Sequence, residues 1–179
     1  MIGEERRNII LCGFMATGKS TVGKRLAALL GYEFLDMDAV IEADAGLTIP
    51  QIFSSQGEPK FRALESQLVE RVAGKTGCVV ATGGGTITNP QNLERLKLCG
   101  VIITLTADIE TILLRVGSGG DRPMLREGDR FERIRTLMEK RAPFYAQADI
   151  VLDTSSLSVE EAAHCIADRL RESGFCGRH

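Results

Sequence analysis

Residues 13–20 read GFMATGKS and constrain this chain more than any other segment, because they have the form G-x-x-x-x-G-K-S of a P-loop. The apolar run Ile9-Ile10-Leu11-Cys12 precedes them, and a helical segment that ends at Gly31 follows. In this strand, loop and helix order, backbone N–H groups and the helix dipole face a bound polyphosphate. A glycine-rich turn that contains Lys-Ser by chance is the alternative, and the flanking strand and helix signals disfavour it.

The residue types within the motif predict how a nucleotide is held. Glycine lets the backbone wrap a polyphosphate without Cβ clashes. The Lys19 side chain can reach the β- and γ-phosphates, and the Ser20 hydroxyl can bind Mg²⁺. Loop and first-turn N–H groups supply further contacts. The predicted nucleotide-binding residues of this segment are Gly13, Ala16, Thr17, Gly18, Lys19, Ser20 and Thr21.

Composition is that of an ordinary globular chain. The 179 residues are 44% hydrophobic and 26% charged, so we expect residues 1–179 to form a single domain. The net charge of −2 argues against a general nucleic-acid or membrane binder. No apolar stretch approaches the ~20 residues that span a bilayer, and no signal-like segment follows the start. Five cysteines without C-x-x-C spacing are expected to be reduced, as in a cytoplasmic protein.

Short apolar runs alternate with helical segments along the chain. The predicted strands cover residues 8–12, 32–35, 78–81, 101–105 and 150–152. These runs are apolar at successive positions, which is typical of parallel strands that are covered on both faces. Helix-start signals stand at Pro59, Asn89-Pro90, Asp129 and Ser158 with Glu161. The pattern predicts an α/β sandwich in which the loops after the strands share one edge, where ligands bind.

One segment of the chain, at about residues 116–128, has little periodicity and four glycines. Such a long connection is either disordered or a working lid. The Arg122-Pro123 pair favours a lid, because a cation that swings over a polyphosphate assists phosphoryl transfer.

Two carboxylates follow the second predicted strand, at Asp36 and Asp38. The third strand ends without an acidic residue, so the carboxylate that supports Mg²⁺ must come from elsewhere. Alternation along an extended chain would put both carboxylates on one face beside the P-loop. One could then support the water shell of the metal while the other orients or deprotonates an acceptor hydroxyl. Alternatively, Asp38 only caps a helix over residues 39–43, and the residues alone leave both interpretations open.

Glycines and arginines point to a second, anionic substrate. Gly83-Gly84-Gly85 ends the third strand, where missing side chains allow backbone N–H groups to approach a small polar ligand; a flexible turn is the alternative. Arg62, Arg122 and Arg141 are each compatible with a solvated surface. As a set in an acidic chain they favour an anionic ligand, because arginine binds carboxylates with two hydrogen bonds.

In their order and spacing, these segments resemble the shikimate kinases over about residues 8–170. The matching segments are residues 13–20, Asp36-Met37-Asp38, Gly57-Glu58 with Phe61-Arg62 and Glu65, residues 81–85, Arg122-Pro123, and Arg141-Ala142-Pro143-Phe144-Tyr145. Two positions depart from the family pattern. Ala16 stands where glycine is frequent, and we expect function to survive unless that position is left-handed. Residues 153–158 lack the Arg and Pro often found there, which weakens any claim about adenine contacts.

The resemblance implies a three-layer fold of the nucleoside-monophosphate-kinase type, a five-stranded parallel sheet flanked by helices, with a lid loop. It implies that ATP, with Mg²⁺, phosphorylates the 3-hydroxyl of shikimate, in a protein we expect to be monomeric. The implied catalytic residues are Lys19, Asp38 and Arg122. The implied shikimate-binding residues are Asp38, Arg62, Gly83, Gly84, Gly85 and Arg141. Ser20 would bind the metal directly and Asp36 through water, while Arg115 would stack on adenine and Arg122 would close over the phosphates.

Overall fold

Five parallel strands form one sheet in the order β2-β3-β1-β4-β5. The computed structural model describes residues 7–117 and 130–175. Arg122, most of the predicted lid and the predicted helix cap Asp129 lie outside them. The strands are β1 (Asn8–Gly13), β2 (Glu33–Asp36), β3 (Cys78–Ala81), β4 (Gly100–Thr106) and β5 (Ile150–Asp153). All five predicted strands are confirmed, and their ends shift by no more than one residue.

Helices connect the strands. They are α1 (Lys19–Leu30), α2 (Met37–Ala45), α3 (Ile49–Ala73), α4 (Pro90–Cys99), α5 (Ile109–Val116), α6 (Arg130–Tyr145) and α7 (Val159–Glu172), with a short 3₁₀ helix at Thr86–Thr88. The predicted caps at Asn89 and at Ser158 with Glu161 are confirmed. α3 breaks at Gly57, where φ is 81°, so the helix expected from Pro59 is its second half. The first half, with a capping box of Thr48 and Gln51, was not predicted.

Both faces of the sheet are buried under helices. In β1, Ile9 and Leu11 belong to the core beneath α1 and α7. Ile10 and Cys12 point to the opposite core, which α2 to α6 cover. This arrangement explains the apolar residues at successive strand positions, since each strand contacts a helical layer on either side.

The P-loop follows β1, at the point where the order of successive strands switches from one side of the sheet to the other. β1 pairs with β3 on one side and with β4 on the other, and all pairings are parallel. The carboxyl ends of the strands therefore meet at one edge, with the P-loop at the centre. In open α/β sheets, ligands bind at such a crevice.

Two sequence expectations concern the chain as a whole. Among the described residues, no helix is long and apolar enough to cross a membrane. The described cysteines, Cys12, Cys78, Cys99 and Cys165, are free thiols, and Cys176 lies outside the described residues. Burial raises the pKa of the Cys12 thiol to about 11.

A buried side-chain amide connects segments at the amino ends of the strands, opposite the P-loop. Asn8 Nδ2 donates to the Lys75 carbonyl at 2.7 Å, and Asn8 Oδ1 accepts the Cys78 N–H at 3.0 Å. The residue is fully buried. Its side chain therefore fixes the end of α3 and the start of β3 against β1.

Replacing this amide should destabilise the fold. We expect Asn8→Ala to lower the free energy of unfolding by about 1–3 kcal/mol, because it leaves the buried Cys78 N–H without its partner. Urea unfolding measures the change. The matched control is Gln67→Ala on the exposed face of α3, which should stay within about 0.5 kcal/mol of wild type. A loss for Asn8→Ala as small as that of the control would contradict this role.

Candidate active site

The P-loop is held by contacts across itself. Lys19 Nζ donates to the carbonyl oxygens of Gly13 and Phe14 at 3.0 and 2.8 Å. Thr17 Oγ1 donates to the Phe14 carbonyl at 2.8 Å. Gly13 has φ of 137°, and a Cβ there would lie 2.1 Å from the Leu105 carbonyl oxygen, so only glycine fits. The P-loop thus leads into α1, and these contacts hold its backbone around the Lys19 side chain.

Ala16 lies in the left-handed region, with φ of 60°, and among the described residues it is the one non-glycine residue with positive φ. We expect alanine to be harmless at this position only if its backbone is not left-handed, and the structure shows that it is left-handed. A left-handed conformation costs an L-residue about 1–2 kcal/mol. Surrounding contacts must therefore hold Ala16 in place.

Asp36, rather than Asp38, caps the helix after β2. The Asp36 carboxylate accepts the backbone N–H groups of Asp38 and Ala39 at 3.1 and 3.3 Å, and Ser20 Oγ donates to it at 2.5 Å. The prediction that alternation of an extended chain aligns the two carboxylates is wrong, because α2 already begins at Met37. Asp38 lies in the first turn of α2, and both carboxylates nevertheless reach the P-loop cavity.

The three glycines after β3 leave space for different charged side chains. A Cβ on Gly83 would lie 2.7 Å from Glu65 Oε1 and 3.0 Å from Asp38 Oδ1. On Gly84 it would lie 3.1 Å from Arg141 Nη1, and on Gly85 it would lie 2.5 Å from Arg62 Nη1. Charged groups from α2, α3 and α6 therefore converge on a backbone without side chains.

A buried ion pair fixes Arg62. Its Nη1 donates to Glu65 Oε2 at 2.5 Å, and Glu65 is 1% exposed. Thr86 Oγ1 donates to the other Glu65 oxygen at 2.6 Å. Desolvation lowers the pKa of Arg62, but the charge of Glu65 and hydrogen bonds to Glu65 and Glu58 outweigh it, so the net shift is upward. Glu65 was not predicted as a site residue, although its position three residues after Arg62 on a helix is a signal for such a pair.

Tyr145 connects α6 to the glycine segment. Its hydroxyl donates to the Gly84 carbonyl at 2.7 Å. Burial raises the pKa of Tyr145 to about 12, so the hydroxyl remains a donor at neutral pH. Arg141, one helical turn earlier, is 8% exposed, and its guanidinium lies 5.8 Å from the centroid of the Phe14 ring. Tyr145 was missed as a site residue, although the i, i+4 spacing would have indicated a shared face with Arg141.

Two neighbouring cavities collect the predicted residues. The first, of about 360 Å³, is lined by these predicted residues: Ala16, Thr17, Gly18, Lys19, Ser20, Thr21, Asp36, Asp38 and Arg115. The second, of about 340 Å³, is lined by Asp38, Arg62, Gly83, Gly84, Gly85 and Arg141. Asp38 and Gly84 line both cavities. Gly13 does not line either cavity, and Arg122 lies outside the described residues.

Comparison with known proteins gives a consistent result. The family model described as shikimate kinase matches residues 15–171. A shikimate kinase of Pelotomaculum thermopropionicum is 45% identical over 169 residues, which cover 94% of this chain and 98% of that protein. A solved structure of the Acinetobacter baumannii shikimate kinase in complex with shikimate has a TM-score of 0.90 and 37% identity, over 94% of each chain.

A more distant structure shows how far the fold extends. A gluconokinase from Sinorhizobium meliloti matches with a TM-score of 0.60 and 18% identity, over 98% of this chain and 99% of that one, which is a likeness of fold alone. The predicted fold class, a P-loop kinase with a five-stranded parallel sheet flanked by helices, is confirmed. From the family match and the extent of identity, the chain belongs to the shikimate kinase family.

Proposed function

We propose that this chain transfers the γ-phosphoryl group of ATP to the 3-hydroxyl of shikimate, giving ADP and shikimate 3-phosphate on the route to chorismate and the aromatic amino acids. The observation that carries the proposal is the wall shared by the two cavities, at Asp38 and Gly84. In-line transfer needs donor and acceptor side by side, and the enzyme contributes mainly positioning and charge neutralisation.

The P-loop cavity suits the triphosphate of ATP. Backbone N–H groups of the loop and the N-terminus of α1 face an anion there. Lys19 would turn from its loop carbonyls to the transferring phosphoryl group and neutralise its developing charge. Arg115 borders the same cavity, and we assign it to the nucleotide side, with Arg122 as a further cation from the predicted lid.

The Mg²⁺ that accompanies ATP in kinases fits Ser20 and Asp36. In residues 7–117 and 130–175, no three His, Cys, Asp or Glu side chains form a metal cluster. Magnesium does not need one, because it binds through one or two oxygen ligands of the protein together with waters and substrate phosphates. Ser20 Oγ points its proton at Asp36, which leaves a lone pair for the cation. We assign Ser20 as a direct ligand and Asp36 as a ligand through water; the bound ion would neutralise phosphate charge.

The second cavity suits an acid with several hydroxyls. Arg62 and Arg141 would hold the shikimate carboxylate, and N–H groups of residues 83–85 would approach its hydroxyls. Asp38, at the boundary, would accept the proton of the 3-hydroxyl as that oxygen attacks phosphorus. Because one chain supplies all of these residues, we propose a monomer as the working unit.

A substrate panel tests the proposal. ADP release is measured with Mg²⁺ and shikimate, gluconate, AMP or CMP, and again after chelation of the metal. We expect turnover with shikimate and with none of the other three acceptors, and no turnover after the metal is chelated. Turnover with gluconate or a nucleotide in place of shikimate would reject the proposed acceptor.

Lys19 should act on the chemical step. We expect Lys19→Ala to lower kcat by about 10²–10³-fold, the usual effect of removing one preorganised donor to developing charge. The control is Lys24→Ala on the same helix, where the exposed lysine stacks near Phe34, and its kcat should be that of wild type. Near-normal kcat for Lys19→Ala would exclude the role given to this residue.

Gly85 offers a test of the acceptor side without loss of a charge. Its φ of −103° is open to alanine, and the nearest atoms to an added Cβ are those of the Arg62 guanidinium, so Gly85→Ala should displace that group. We expect the KM for shikimate to rise about tenfold or more, as for loss of a charged hydrogen bond, with kcat and the KM for ATP changed far less.

The matched control for Gly85→Ala is Gly74→Ala at the end of α3. There φ is −86° and the nearest atom to an added Cβ is 3.6 Å away. Steady-state kinetics of both variants should separate them clearly. If the KM for ATP rose instead of that for shikimate, Arg62 would belong to the nucleotide side.

A further inference from the structure

Two consecutive carbonyl groups of the P-loop accept hydrogen bonds from residues outside the motif. Thr154, just after β5, donates its hydroxyl to the Thr17 carbonyl at 2.9 Å. Arg115, on α5, donates Nη1 to the Ala16 carbonyl at 3.3 Å. Thr154 is 2% exposed and Thr17 fully buried. Both donors come from outside the P-loop motif, although Arg115 and Thr154 also line the P-loop cavity, and the mechanism above does not use these two contacts.

Thr154 and Arg115 also bind each other. Arg115 donates to the Thr154 hydroxyl oxygen at 3.1 Å and to its carbonyl at 2.6 Å. The Thr154 hydroxyl lies within 3.0 Å of the Thr106 carbonyl too, but that carbonyl already accepts the Thr154 N–H at 2.8 Å. A hydroxyl has one proton to donate. Because the Thr106 carbonyl already has a donor in the Thr154 N–H, donation of that proton to the Thr17 carbonyl gives both carbonyls a partner. The cation that donates into the hydroxyl oxygen polarises it and strengthens that contact.

The geometry of the peptide group gives these contacts a consequence. In a planar trans peptide, the C=O and the following N–H point in opposite directions. Holding the Ala16 carbonyl on Arg115 therefore points the Thr17 N–H away from Arg115, and holding the Thr17 carbonyl on Thr154 points the Gly18 N–H away from Thr154. These N–H groups belong to the stretch of a P-loop that cradles phosphates.

The same two peptides need external support. Ala16 lies at φ of 60°, which is sparsely populated for a residue with a Cβ, and Gly18 lies at φ of 97°, which glycine adopts readily. Gly18 has no side chain that restricts rotation, and Ala16 gains by leaving its left-handed conformation. Without the hydrogen bonds from Arg115 and Thr154, the Ala16–Thr17 and Thr17–Gly18 peptide groups would be free to rotate, and their N–H groups would turn away from the phosphates.

We propose that Thr154 and Arg115 are positioning residues that orient the Thr17 and Gly18 N–H groups toward the polyphosphate of the nucleotide. The inference rests on the proposed function, because it requires that the P-loop bind phosphates. It differs from the adenine contact that the resemblance implies for Arg115, since here the residue acts on the phosphate end through the backbone.

The test removes the Thr154 hydroxyl and uses inorganic tripolyphosphate, which has no base, as the probe. For Thr154→Val, calorimetry should give about tenfold weaker binding of tripolyphosphate and of ADP alike, as for one lost hydrogen bond. Thr154→Ser retains the hydroxyl and should bind both within about twofold of wild type. The KM for shikimate should not change. Equal losses for both variants, or weaker ADP binding with unchanged tripolyphosphate binding, would overturn the proposal.

Ser155→Ala is the matched control. The Ser155 hydroxyl belongs to the same segment but bonds to Asp153 and to the Asp108 N–H, so its loss should leave tripolyphosphate binding unchanged. Wild-type turnover with shikimate, measured in parallel, tests the proposed function separately. A wild type that binds tripolyphosphate and fails to phosphorylate shikimate rejects the acceptor assignment and leaves the comparison of Thr154 variants intact.

A second measurement does not depend on the fold tolerating a change at buried Thr154. Arg115 is exposed, and Arg115→Gln removes its reach to Ala16. With saturating tripolyphosphate bound, amide hydrogen exchange at Thr17 and Gly18 should be about tenfold faster in this variant than in wild type, while exchange at Val22 inside α1 should not change. Unchanged exchange at both loop amides would contradict the role of Arg115.

Discussion

The site depends on the close approach of charged side chains to a backbone that has none of its own. Asp38, Glu65, Arg141 and Arg62 all reach residues 83–85 at distances that a Cβ would not allow or would make tight. The buried Glu65 is central, because a carboxylate at 1% exposure requires a partner and Arg62 supplies it. Loss of Arg62 would leave the buried Glu65 charge uncompensated where the acceptor is proposed to bind, whereas Arg62 also pairs with Glu58. Ion pairing and the three glycines therefore depend on each other. The glycines leave the space that the charged side chains occupy, and the opposite charges hold those side chains in place.

The sheet makes this device possible by fixing where the strands end. β1 pairs with both β3 and β4, so the P-loop and the glycine segment leave neighbouring strands at the same edge. Apolar layers on both faces hold these strands rigidly, and Tyr145 connects the glycine segment to α6. The polar groups of the site thus stand on elements whose positions are set by packing. Its two halves meet at Asp38 because α2 starts immediately after β2, beside the P-loop.

Local signals predicted most of the fold, and contacts between distant segments account for what they missed. The strands are continuous apolar runs, and α1, α4 and α7 carry end signals that are read within a few residues. The first half of α3 was missed because Gly57 and Pro59 mark a helix start and hide the helix before them. The relative placement of the two aspartates and the identity of the helix cap were mispredicted, because α2 begins at Met37 and an assumed extended chain has no such turn. Spacing along the helix could have indicated Arg62 as the partner of Glu65, but it could not reveal Thr86 or the contact of Tyr145 with Gly84, because those residues lie on other elements.

The same limit applies to the P-loop, where the motif predicts donors for phosphate but not the sign of φ at Ala16 or the support from Thr154. A crystal structure with Mg²⁺, an unreactive ATP analogue and shikimate tests the central claim most directly. The account predicts the shikimate carboxylate on Arg62 and Arg141, with its 3-hydroxyl about 2.6–3.2 Å from an Asp38 oxygen and facing the γ-phosphate. Shikimate bound with that hydroxyl away from Asp38, or outside the cavity beside residues 83–85, would contradict it.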